Sequence, residues 1–269
     1  MELRVICGTF WTRRTVDSKK FNLKIDFNEL STERFFSLAD IDVVLYLSVV
    51  HQTNKENPKL VEINTQVPTA IAIECQKQNI HFIYMSTEQV FESQNDFTYQ
   101  EDSPQNAKTI YGISKSMTEK ALVLMNLGQN TTILRSSMIY GYKNDKKKNL
   151  FNHIDWSSIA PYSIYSDAYT KPTFIDDLCE CIDHVIENKI TGVFHTVGNE
   201  MIDRVSLLKM AFINKYSKEA VDYFIKPVKT PPSSDIQKYI NIECSPIFKM
   251  FFKTTLKEGV MKQLFREFK

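Results

Sequence analysis

Ile80-His81-Phe82-Ile83-Tyr84-Met85-Ser86-Thr87 is an apolar run closing on two hydroxyls, and 24 residues after Thr87 the chain reads Tyr111-Gly112-Ile113-Ser114-Lys115. Ile80–Met85 is short, aromatic and β-branched, as a strand buried on both faces should be. Tyr111 and Lys115 are i and i+4, so they share a face if the second stretch opens a helix. A buried strand ending in hydroxyls, followed by a helix, fits a parallel α/β sheet. Such sheets gather functional side chains at the carboxyl ends of their strands.

Outward from this stretch the pattern repeats. Leu3–Cys7, Leu23–Phe27, Asp42–Leu47, Thr131–Leu134 and Gly192–Val197 read as further strands. Helical spacing is predicted over Lys59–Gln76, Thr109–Leu127, Ile175–Asn188, Val205–Tyr216 and Leu256–Phe268, with Pro68 marking a kink or restart in the first. In the second helix Ile110, Ile113, Met117, Ala121 and Leu124 form the stripe expected to anchor it, and Gly128 is its expected C-terminal cap. Pro231–Ser234 reads as a loop and Lys143–Lys148 as a solvated, charged one.

The 269 residues suffice for a full α/β core. A net charge of +1 argues against nucleic acid as the main partner. No run approaches the roughly 18–20 apolar residues of a membrane span, and no signal-peptide core is seen, so the expected location is cytoplasmic. Cys7, Cys75, Cys179, Cys181 and Cys244 read as reduced thiols, and neither they nor the five histidines show metal-ligand spacing. No metal is expected. Seven glycines stand where average usage gives roughly 19.

A free tyrosine titrates near pH ~10 and is a sluggish acid at neutrality. An ammonium one helical turn away would favour the phenolate, so Lys115 is expected to lower the pKa of Tyr111. Tyr111 can then deliver a proton to a carbonyl oxygen as hydride reaches the carbon. Thr87, at the strand end, can hydrogen-bond the same oxygen.

The ordered motifs resemble the extended short-chain dehydrogenases, and among them the dTDP-4-dehydrorhamnose reductase family. Ser86-Thr87-Glu88-Gln89-Val90-Phe91 is similar to that family's Ser-Thr-Asp-Tyr-Val-Phe, and Tyr111–Lys115 to its Tyr-Gly-x-Ser/Thr-Lys. Leu134–Gly141, Pro172–Leu178 and Gly192–His195 resemble later family segments. The resemblance implies a Rossmann-like parallel sheet with helices on both faces, plus a small C-terminal substrate-binding domain. Residues 1–140 would be the dinucleotide-binding part, with part of 165–200 returning to it, and 141–269 mainly the substrate region.

The implied reaction is NADPH- or NADH-dependent reduction of a 4-keto group on a nucleotide-linked deoxysugar, as in deoxysugar and polysaccharide biosynthesis. Thr87, Tyr111 and Lys115 would be catalytic. Gly8, Arg13 and Ser48, with Tyr111 and Lys115, would meet NADP or NAD. Glu88, Gln89, Asn149 and Lys171 would meet the nucleotide sugar. A homodimer is compatible with this reading; nucleic-acid and membrane partners are not expected.

The start of the chain departs from the family. After Leu3–Cys7 the family expects Gly-x-x-Gly-x-x-Gly, and here stands Gly8-Thr9-Phe10-Trp11-Thr12-Arg13-Arg14. Phe10 and Trp11 would block the close backbone approach that glycines permit, and the first βαβ unit is shortened. Arg13 and Arg14 could replace the lost positive end of a helix. The alternative is a non-catalytic member that has lost dinucleotide binding and takes a nucleotide sugar or a protein partner, as in the regulatory subunit of methionine adenosyltransferase. An epimerase or dehydratase ranks third, because it needs tightly held NAD.

Overall fold

The computed structural model describes residues 42–50, 59–125, 127–141, 160–213, 216–232, 234 and 236–267. The strands expected at Leu3–Cys7 and Leu23–Phe27, the Lys143–Lys148 loop, and Gly8, Arg13, Arg14 and Asn149 lie outside the described residues.

Among the described residues, four strands form one parallel sheet in sequence order: β1 (Val43–Tyr46), β2 (His81–Thr87), β3 (Thr131–Ser136) and β4 (Gly192–His195). The two-residue period sorts their side chains. Phe82, Tyr84 and Ile133 pack with Ile71, Ala72 and Cys75 of α1 (Val67–Lys77) and Leu122 of α2 (Ile110–Leu124). Their neighbours Ile83, Met85 and Leu134 join Leu178, Ile182 and Val185 of α3 (Ile175–Asn188) on the opposite face. Helices therefore cover both faces, which is why β2 and β3 are buried at every residue. A further cluster packs α4 (Arg204–Phe212), α5 (Lys218–Phe224) and α6 (Leu256–Glu267) through Leu207, Leu208, Val221 and Val260 against Tyr140 and Phe174.

Several expected bounds shift for local reasons. β2 runs two residues past Met85, because Ser86 and Thr87 pair with Arg135 and Ser136 of β3. Thr87 is thus the last residue of the strand. Ahead of α1 the chain makes a helical turn at Lys59–Val61 and a π-type turn at Glu62–Gln66. Pro68 explains the restart: it has no N–H to give the carbonyl of Asn64. That carbonyl accepts instead from Thr118 Oγ1 at 2.6 Å and Tyr84 OH at 3.2 Å. The proline thereby frees an acceptor that ties α1 to α2 and to the sheet.

The anchoring face of α2 is not the one its apolar stripe predicts. Ile110, Ile113, Met117 and Leu124 are 40%, 42%, 49% and 85% exposed, whereas Ser114, Lys115, Ser116, Thr118 and Glu119 are buried. The buried polar groups are satisfied across the interface. Ser114 Oγ accepts from Asn64 Nδ2 at 3.0 Å, and its carbonyl accepts from Thr65 Oγ1 at 3.0 Å. Hydrogen bonds made across an interface let polar side chains outcompete an apolar stripe. The helix starts one residue later than expected, with Thr109 as its N-cap accepting from Gly112 N at 2.9 Å. It ends at Leu124, and Gly128 falls in a separate 3-10 turn at Leu127–Asn130 rather than capping it.

Candidate active site

The carboxyl ends of β1, β2 and β3 and the first turn of α2 converge on one region. β2 delivers Thr87 and then a 3-10 turn, Glu88–Val90. Thr87 Oγ1 accepts from Gln89 N at 3.3 Å, which caps that turn. Thr109 Oγ1 donates to Gln89 Oε1 at 3.1 Å. Gly112 lies against the Gln89 carbonyl so closely that a Cβ would overlap it. The Tyr-Gly dipeptide thus has a mechanical reason: glycine lets α2 press Tyr111 onto the Thr87–Gln89 turn. Gly112→Ala is expected to cost about 1–3 kcal/mol through a forced backbone shift and to lower turnover. Urea unfolding and kcat measured together check it, and unchanged values in both would contradict the contact.

The Thr87 side chain acts on the phenol of Tyr111. Burial pushes that phenol up to about 12; Thr87 opposes that rise and the nearby Glu88 carboxylate adds to it. The expected lowering by Lys115 is therefore not what governs this tyrosine. Lys115 Nζ donates to the Met85 carbonyl at 2.7 Å and sits 4.4 Å from the centre of the Tyr84 ring. Burial brings its ammonium down to about 8, against the pull of Glu119. It faces the sheet because it lies on the buried side of α2.

Glu88 is the most unusual group of the region. Its Oε2 is buried with no hydrogen-bond partner. Burial pushes the carboxyl up to about 7; Ser137, Arg204 and Lys171 counteract that rise. Ser137 follows β3 and pairs with Thr170 at 2.7 Å, and Arg204 opens α4. Of the residues expected to meet substrate, Glu88 and Lys171 are brought together, whereas Gln89 is turned towards the helix cap. Arg204 and Ser137 were not anticipated. Ser137 lies inside the Leu134–Gly141 segment but was given no role there, and no motif marks Arg204, whose place depends on how the C-terminal helices fold back.

Beyond β1 the chain runs through the exposed Leu47, Ser48 and Val49. Asn64 clips the next residue: its Oδ1 accepts from Val50 N at 2.8 Å and its Nδ2 donates to Val50 O at 3.0 Å. Since Asn64 also holds Ser114, this strand end and α2 are fixed relative to each other. This exposed strand end is thereby tied to the tyrosine helix.

Behind the site lies a buried polar network. Arg135 grips Glu119 through Nη2–Oε2 at 2.7 Å and Nε–Oε2 at 3.0 Å, with both side chains nearly inaccessible. Ser86 Oγ and Gln105 Nε2 donate to the same carboxylate, the latter at 2.6 Å. Arg135 Nη1 reaches the Glu101 carbonyl at 2.9 Å and His195 Nε2 at 3.3 Å. Burial, aided by Arg135, depresses His195 to about 4. An unfolded histidine takes a proton near pH ~6.5, which the folded state refuses down to about 4. Stability from this group is therefore complete above the unfolded value and is lost as pH falls through that window. His195→Gln is expected to flatten the melting-temperature decline over that interval; an unchanged slope would contradict it.

Comparison with known proteins agrees with this architecture. The spore coat polysaccharide biosynthesis protein SpsK of Bacillus subtilis is 28% identical over 146 residues, 54% of this chain and 50% of that protein. The dTDP-4-dehydrorhamnose reductase of Aggregatibacter actinomycetemcomitans is 24% identical over 213 residues, 72% of this chain and 71% of that protein. The chain spans 50 to 60% of the length of the curated relatives it first matches. In fold it is similar to the dTDP-4-dehydrorhamnose reductase of Bacillus anthracis solved with NADP, with a TM-score of 0.70 at 21% identity over 83% of this chain and 80% of that one. The family model described as the RmlD substrate binding domain matches residues 16–238, the span that carries the sheet, the tyrosine helix and the Glu88 cluster, and the chain belongs to that family.

Proposed function

We propose that this protein reduces a 4-keto group on a nucleotide-linked deoxysugar with NADPH or NADH. The observation that carries the reading is the Thr87–Tyr111 hydroxyl pair, held at the strand end by the Gly112 contact beside the Glu88–Arg204–Lys171 cluster. The nicotinamide would lie along Leu47, Ser48 and Val49 and supply the hydride. Tyr111 gives its proton to the ketone oxygen as that oxygen gains charge. Thr87 donates a hydrogen bond to the same oxygen, which stabilises the developing alkoxide. Arg204 and Lys171 are the cations that suit the phosphates of a nucleotide sugar.

The chain should consume NADPH or NADH only when a dTDP-4-keto-6-deoxysugar is present, followed as loss of nicotinamide absorbance. No consumption with either cofactor over a panel of such sugars would remove the reading. A second reading is a non-catalytic binder of a nucleotide sugar. It is favoured by Lys115, whose ammonium is engaged with the Met85 carbonyl rather than offered to a ribose. That reading predicts sugar-nucleotide binding with no nicotinamide binding.

A further inference from the structure

We propose that the exposed apolar face of α2 binds a second copy of this chain, as an antiparallel helix pair with its two-fold axis at Met117. The inference is independent of the reductase reading above. α2 turns its polar residues inwards: Ser114, Lys115, Ser116, Thr118 and Glu119 are buried. It turns its apolar stripe outwards. Ile110, Ile113, Met117 and Leu124 are exposed, and Ala121 between them is half-buried. A contiguous exposed apolar surface marks an interaction site.

The spacing says what covers it. From Met117 the stripe steps back four residues to Ile113 and seven to Ile110. It steps forward four residues to Ala121 and seven to Leu124. It therefore reads the same from either end. At roughly 100° per residue, all five directions fall within about 40° of Met117. These intervals are those of a helix–helix seam. A copy laid antiparallel sets Ile110 on Leu124 of the partner subunit, Ile113 on the partner's Ala121, and Met117 on the partner's Met117. A two-fold contact demands this self-complementarity, because a residue i that meets j requires that j meets i. An unrelated partner protein imposes no such symmetry on the stripe.

Charge agrees with the pairing. Lys115 and Glu119 are buried against the body, which leaves Lys120 as the exposed charge of α2. Lys120 stands about 60° from the Met117 direction, at the flank, where interface rims are polar. No charge lies on the seam itself. Ile110 to Leu124 spans about 21 Å of helix. A seam of one such helix per subunit is at the small end of stable interfaces, so the dimer should dissociate on dilution.

The test is sedimentation velocity of the whole chain over a dilution series. The wild type is expected to pass from dimer to monomer as it is diluted. Met117→Glu puts two carboxylates on the axis, one from each copy, and should be monomeric throughout. Met117 is exposed in the single subunit, so that variant should keep the wild-type circular dichroism spectrum. Cysteine cross-linking reads the register. Under mild oxidation Met117→Cys should link to its own copy, because the axis brings the two thiols together. Ile110→Cys and Leu124→Cys should each resist linking alone and link when mixed. The wild type, with its five native cysteines, sets the background.

A wild type that is monomeric at every concentration overturns the proposal. A reactive thiol in Met117→Cys then leaves the face to a different protein, and a protected one shows that this chain covers it by itself. A dimer that persists in Met117→Glu, or one in which Met117→Cys does not link, puts the contact elsewhere and also overturns it. Ile110→Cys that links to itself contradicts the antiparallel register and overturns it too.

Discussion

Tyr111→Phe is expected to lower kcat for a 4-keto nucleotide sugar by about 10²–10⁴-fold, the range general acids contribute. The ring stays and only the hydroxyl is lost, so packing at the head of α2 should persist. Affinity for NADPH should be unchanged, because that hydroxyl acts on the reacting oxygen. Steady-state kinetics beside a cofactor titration separates the two effects. A Phe variant with wild-type kcat would take Tyr111 out of the acid role; one that also loses cofactor affinity would make it a binding residue. Thr87→Val should give a smaller loss, since Tyr111 keeps its proton but loses its hydroxyl partner.

Glu119→Ala is expected to destabilise the fold by about 3–5 kcal/mol, the cost of leaving one member of a buried ion pair alone. The Arg135 side chain is 3% exposed, so water cannot replace the lost carboxylate. Ser86 and Gln105 would lose their acceptor as well. Chemical denaturation measures the loss. The Glu119→Ala, Arg135→Ala double variant should lose less than the sum of the singles, because each single change strands the other group. Additive losses would show that the pair is not coupled. The network sits directly behind the site: Ser86 precedes Thr87, and Glu119 lies one turn beyond Lys115 on α2.

The parallel sheet was legible because β2 and β3 are buried on both faces, so Ile80–Met85 and Thr131–Leu134 are rich in β-branched, aromatic and other apolar residues. Thr87 and Tyr111 were legible because spacing along one strand and one helix fixes them locally. The buried face of α2 was not. Periodicity assumes that apolar residues go inside, whereas here Ser114, Thr118 and Glu119 are held by Asn64, Ser86 and Arg135, partners on other elements that no local window contains. The contact of Lys115 was hidden for the same reason. An i,i+4 spacing places it on the face of Tyr111, but the carbonyl of Met85, across the sheet contact, claims its ammonium. Arg204 lay beyond reach because it joins Glu88 only once the C-terminal helices have packed.

We propose that the proton machinery is the Thr87–Tyr111 hydroxyl pair, with the Lys115 ammonium resting on the Met85 carbonyl. The central claim is that this machinery meets a hydride. The most direct measurement is a single turnover with NADPH deuterated at the transferring position of the nicotinamide and a dTDP-4-keto-6-deoxysugar, read by NMR of the product. The account predicts deuterium at C4 of the sugar and one nicotinamide oxidised per sugar reduced. Unlabelled sugar recovered with its ketone intact, with no NADPH or NADH bound at millimolar concentration, would contradict it.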